Sequence, residues 1–166
     1  MIPGLRRCCP PHRRYGSTQD ASDFFRAVTE VMINVEHSDT DTGCIAMQVM
    51  PSGTHPQITF AIADTGIGLQ SSLARQHFVT DDHTAIELAF TRRISGVSQG
   101  RRGQGLHNLR LRVGKRSGQL HAWTGDVRAE SYRDGWRHRT LASPYQGTMI
   151  YARWTPAATA HPRLEG

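Results

Sequence analysis

Lysine is almost missing from this chain: among 20 Lys and Arg residues, only Lys115 is lysine. Long apolar runs are missing as well, and none approaches the ~18–20 residues that a helix needs to cross a bilayer, so no membrane partner is expected. Cysteine is scarce. Three residues, with Cys8 and Cys9 adjacent, give neither a paired disulfide framework nor a Cys-x-x-Cys zinc spacing, which points to a reducing, cytoplasmic setting. Cys8, Cys9 and His12 make an awkward metal set because neighbouring cysteines rarely share one ion. The N-terminal "MIPGLRRCCPPHRRYGS" lacks the apolar stretch of a secretory signal. Internal repeats are absent, and aromatics, at 7%, do not interleave with the arginine clusters along the chain.

What is present is a basic, globular composition. The chain has 166 residues, 37% hydrophobic content and a net charge of +6, with a pI near 9.9 and a mean hydropathy of -0.49. That length fits one domain. The expected division is a basic, disordered arm over 1–20, one folded domain over 21–155 and a flexible tail over 156–166. The arginine pairs at 13–14, 92–93 and 101–102 make nucleic acid a partner to weigh. Their spread along the chain, with no aromatics interleaved among them, leaves it less favoured than an anionic small ligand.

Periodicity predicts a helix from Ser22 to about Ser38, with Phe24, Val28, Val31, Met32 and Val35 as its apolar stripe. Two strands, Cys44–Met50 and Gln57–Asp64, follow as a hairpin apolar enough to be half or fully buried. A short helix over Ser71–Gln76 and a capped one over Asp81–Ile94, with Ala85, Ile86, Ala89 and Phe90 as its apolar positions, precede a Gly/Ser/Arg-rich loop, 95–105. A helix from Leu106, with Leu109 and Val113 inward, leads to strands near "QLHAWTG", "VRAESYR" and "GTMIYARW". The fold class expected is an α/β (α+β) two-layer sandwich: a mixed, mostly antiparallel sheet, helices on one face and a flexible lid.

Three stretches carry chemistry. In "IADTGIGLQ", Asp64 ends an apolar strand; its carboxylate accepts hydrogen bonds only, which suits the exocyclic amine of adenine. Gly66 and Gly68 allow a sharp turn and close approach to a flat ring. A bare turn reads equally well from these residues, and a dinucleotide-binding turn fits poorly because no parallel βαβ unit is evident. On the first helix, Glu30, Asn34 and His37 or Ser38 share one face; a carboxylate one turn from an amide oxygen suits a polarised water and a Mg²⁺ ion. In "GRRGQGLHNLRLRV", Gly100, Gly103 and Gly105 precede a helix N-terminus, a natural phosphate site, with Arg101 and Arg102 beside it.

In this order, "TEVMINVEHS", "IADTGIGL", "GQGLHNLRLRVGKRSGQLHAWTG" and "YQGTMIYARW" resemble the N box, the two glycine boxes and the closing Gly-Thr strand of the histidine-kinase-like (GHKL) ATPase fold. Sensor kinases, gyrase-type topoisomerases, heat-shock chaperones, mismatch-repair ATPases and anti-sigma kinases share that fold. The resemblance covers about 21–154. It implies that Asn34 coordinates Mg²⁺, Glu30 activates water, Asp64 binds the adenine amine, and Gly66 and Gly68 shape the base pocket. It further implies that Thr148 supports Asp64 through a hydroxyl or water, and that Gly103, Gly105 and Leu106 anchor a lid over about 70–103. ATP and Mg²⁺ are the implied cofactors, and a regulatory protein the implied partner. The stand-alone size resembles anti-sigma-type kinases and single-domain ATP-binding regulators, with a homodimer left open. The alternatives are a catalytically inactive interaction module and a gyrase-like DNA-associated ATPase.

Overall fold

The computed structural model of the chain describes residues 22, 25, 28, 29, 31–33, 39, 40, 42–52, 55–91 and 105–156. Strands β1 (Gly43–Ser52), β2 (His55–Asp64), β3 (Gln119–Tyr132) and β4 (Gly135–Trp154) form one sheet in the order β1-β2-β4-β3. Every pairing among them is antiparallel. Ser22, Phe25, Val28, Thr29 and 31–33 are α-helical (α1). Helices α2 (Gly68–Ala74), α3 (Asp82–Ala89) and α4 (Gly105–Lys115) lie between β2 and β3 in sequence. Together they make the expected α+β sandwich.

Alternation decides which side of the sheet the helices cover. Phe60 and Ile62 of β2 are buried, and they stand opposite Ala152 and Ile150 of β4, which in turn face Leu120 and Ala122 of β3. Leu73, Ala85, Ile86, Phe90, Leu106, Leu109 and Val113 complete this core from the helical side. The apolar positions expected on α3 and α4 are therefore the buried ones. Asp81 caps α3 by accepting the Thr84 N–H at 2.7 Å, which satisfies one of the first-turn donors that a helix leaves unpaired. That bond, the largest cause, holds the Asp81 carboxyl below its ordinary range.

Several expectations change. β1 is exposed along Gly43–Pro51, with Met47 58% and Val49 54% accessible; apolar composition predicted burial, but α2, α3 and α4 pack chiefly on β3 and β4. Met32 of α1 is likewise exposed, whereas Val31 is buried and Val28 packs beside the core. The α2 helix begins at Gly68, ahead of Ser71. The α3 helix stops at Ala89 because Phe90 leaves helical geometry (φ -92°, ψ 6°) and lodges against Trp136, ring centroids 4.8 Å apart. "QLHAWTG" and "VRAESYR", expected as two strands, are one, with Gly125 and Asp126 forming an irregularity within the β3–β4 ladder. β4 starts well before "GTMIYARW", at Gly135. Finally, α2 and α3 are built into the core, so the described part of the span 70–103 is no lid. The rest of that span, 92–103, lies outside the described residues.

Candidate functional site

The inner face of the sheet ends in a polar row. Thr124 of β3 pairs with Thr148 of β4, and Asp64 closes β2 one position beyond the Ala63–Met149 pair. Asp64 is only 5% accessible and Thr124 fully enclosed. Buried polar groups need partners, and here they partner one another. Asp64 Oδ1 accepts the Gly66 N–H at 2.9 Å, an Asx-type turn that reverses the chain after β2. The same oxygen accepts the Thr148 N–H at 3.2 Å. Thr124 Oγ1 accepts the Leu69 N–H at 3.0 Å and donates to the Gly147 carbonyl at 3.1 Å. The circuit closes from Asp64 through the turn to α2, across to β3, over to β4 and back to Asp64.

Two glycines make the circuit fit. Gly68 has φ +75°, and a Cβ there would lie 2.8 Å from Thr124 Oγ1. Gly147 has φ +92°, and a Cβ would collide with the Asp64 carbonyl. Both conformations are open to glycine and strained for other residues. Gly66 is buried and serves as the N–H donor; it is not among the glycines with positive φ.

The corner has an outer collar. Tyr145 Oη donates to the Asp64 carbonyl at 3.3 Å. Burial, then the charges of Asp64 and Cys44, push the Tyr145 phenol above its ordinary value and keep it a donor. Gln146 Nε2 donates to the Thr65 carbonyl at 3.2 Å, and the Thr40 and Thr65 hydroxyls lie 3.3 Å apart. Thr40 precedes β1, so the chain that leaves the first helix arrives at this corner.

Of the residues expected at a nucleotide site, Asp64, Gly66, Gly68 and Thr148 come together here. Thr148 meets Asp64 through its backbone N–H, whereas a hydroxyl or water contact was expected. Gly105 and Leu106 begin α4 and are buried; α4 is placed by packing on β3 and β4. Glu30, Asn34, Arg101, Arg102 and Gly103 lie outside the described residues, as do Cys8, Cys9 and His12. Thr124, Gly147 and Tyr145 were not singled out from sequence. Gly147 carried a signal, standing directly before Thr148 in the Gly-Thr strand, while Thr124 reaches Leu69 across 55 positions and carried none.

A scan of protein-family models finds no matching family, and a search of curated proteins finds no match.

Proposed function

We propose that this chain is an ATP·Mg²⁺-binding regulatory domain that transfers phosphate to a partner protein, or switches that partner when nucleotide binds, with Asp64 as the adenine-recognising group. The observation that carries the reading is the Asp64 corner: a buried carboxylate whose Oδ1 is oriented by two backbone N–H groups. A carboxylate accepts on both oxygens, so orienting it through Oδ1 sets the plane in which it meets an amine. Gly68 and Gly147 let Thr124 and the Asp64 backbone pack where a Cβ would stand, and so hold the carboxylate in place. The resemblance would put the phosphate end of the ligand near Asn34 and Glu30, which lie outside the described residues. There Mg²⁺ would supply charge neutralisation for the phosphates.

A thermal-unfolding titration tests the reading. ATP with Mg²⁺ at millimolar concentration should raise the melting temperature, and GTP, which lacks an exocyclic amine at the equivalent ring position, should raise it less. Equal shifts, or none, would sink adenine recognition by Asp64. Labelled ATP then separates the two forms of the proposal: label appearing on a partner or as free phosphate marks an enzyme, and binding without either marks a switch. Glu30→Ala should abolish turnover while leaving ATP affinity nearly intact.

A further inference from the structure

The opposite face of the sheet, away from the described helices, has a different character. The arginine pairs at 13–14, 92–93 and 101–102 have no interleaved aromatics, but along β3 and β4 arginines and aromatics alternate, and the pairing of the two strands gathers them in space. Running along the ribbon, Gln119 faces Arg153, His121 faces Tyr151 and Trp123 faces Met149; past the irregularity at Gly125, Arg128 faces Arg139, Glu130 faces Arg137 and Tyr132 faces Gly135. Val127 and Ala129 are buried in the core, so alternation puts Arg128, Glu130 and their partners on the side away from the described helices. The two halves of this face are continuous. Arg128 lies over the Trp123 ring at 5.3 Å and places Nη2 3.3 Å from His121 Nδ1, while Glu130 comes within 3.9 Å of His121 Nε2. Nearer the turn, Arg137 stacks over Tyr132 at 4.0 Å.

Two features of this face call for an anion with flat rings. First, Arg128 and Arg139 stand directly across from one another, and like charges in that arrangement destabilise a sheet. Glu130 is the carboxylate in these cross-strand rows, against Arg128, Arg137, Arg139 and Arg153, so the positive charge is left over. Second, Trp123, Tyr132 and Tyr151 are partly exposed on the same surface, and two of them already carry a guanidinium plane. Aromatic rings and stacked guanidinium groups are the surfaces on which unpaired bases stack. An acidic peptide would satisfy the charge but make no use of the rings, and a duplex hides its base faces.

We infer that the face of the β3–β4 ribbon turned away from the described helices binds single-stranded nucleic acid, with Trp123 and Tyr132 and their stacked arginines under the bases, and Arg139 and Arg153 on the phosphates. This surface lies on the other side of the sheet from the Asp64 corner, so it stands or falls independently of nucleotide binding.

The test is fluorescence anisotropy of labelled single-stranded DNA and RNA oligomers, roughly 20 nucleotides long to cover a typical binding site, without ATP. Saturable binding with quenching of tryptophan fluorescence is expected; the tighter of the two oligomers identifies the natural source, and binding of either supports the surface. The charge reversal Arg139→Glu with Arg153→Glu should weaken it about tenfold or more and flatten the salt dependence, since each lost phosphate contact removes about 0.7 from the log–log slope. Circular dichroism should remain unchanged. Trp123→Phe should keep most of the affinity, because a stacking ring remains, while losing most of the quench. No saturable binding, affinity indifferent to the charge reversal, or competition by polyglutamate or duplex DNA as strong as by single strands would overturn the proposal.

Discussion

The two faces of this sheet are specific in different ways. At the Asp64 corner, position is everything: a buried carboxylate, a buried hydroxyl and two positive-φ glycines hold one another through short-range bonds. On the face away from the described helices, composition matters more. Arginines lie over aromatic rings at a partly solvated surface, where individual contacts are worth about 1 kcal/mol or less. The corner should therefore be intolerant of small steric changes. The open face should tolerate them and respond to charge.

The largest expected effect tests this contrast at Gly147. Replacing it with Ala or Val puts a side chain into the Asp64 carbonyl at φ +92°, and chemical denaturation should register a loss of roughly 3 kcal/mol or outright failure to fold. Thr124→Val comes next. It keeps the volume but strips the Leu69 N–H and the Gly147 carbonyl of their partner in an enclosed site, at a cost of about 1–3 kcal/mol. By contrast, Arg137→Ala or Arg139→Ala should change stability by less than about 0.5 kcal/mol. If those arginine variants proved as damaging as the Gly147 variant, the distinction between the faces would collapse.

A smaller effect is expected from pH, and it touches both faces. Burial is the main cause that lowers the pKa of His121 on the open face and of His138, whose ring lies 4.5 Å from that of His83 on α3. A histidine with a folded pKa below its ordinary 6.5 is protonated first in the unfolded chain. Its contribution to stability is therefore complete above about pH 6.5 and lost as pH falls from there through the folded pKa. The melting temperature should decline below that point, and His138→Phe should remove part of the slope. A flat profile from pH 7 to 5 would contradict the burial of these rings.

Most of the secondary structure was legible because its signals are local. The Asp81 cap, the apolar spacing of Ala85, Ile86, Ala89 and Phe90, and the β1–β2 hairpin are each written within a few residues of themselves. The Asp64–Gly66–Gly68 turn was legible for the same reason. What escaped was long-range. Gly125-Asp126 reads as a turn because glycine and aspartate are common in turns. Here Gly125 takes φ +52° with Asp82 of α3 packed against it, and the Asp126 N–H donates to the Asp82 carboxylate at 3.3 Å; burial, the main cause, raises the pKa of that carboxyl. The exposure of β1 escaped because composition reports what a strand could bury, whereas the helices that pack on it decide what it does bury, and α2, α3 and α4 pack chiefly on β3 and β4. The pairing of Arg128 with Trp123 needed the strand irregularity as well as the order of residues.

The central claim is that the oriented carboxylate of Asp64 recognises adenine. Asp64→Asn isolates it, because the amide oxygen can still accept the Gly66 and Thr148 N–H groups while the charge and part of the acceptor capacity are gone. Titration calorimetry with ATP and Mg²⁺ on wild type and this variant, each checked by urea denaturation, is the direct measurement. The expected result is saturable heat for wild type and affinity at least about tenfold weaker for the variant, a loss of about 1.4 kcal/mol, with folding stability nearly equal. No saturable heat for wild type at millimolar nucleotide, or equal affinity in the two proteins, would leave the corner as a structural turn alone.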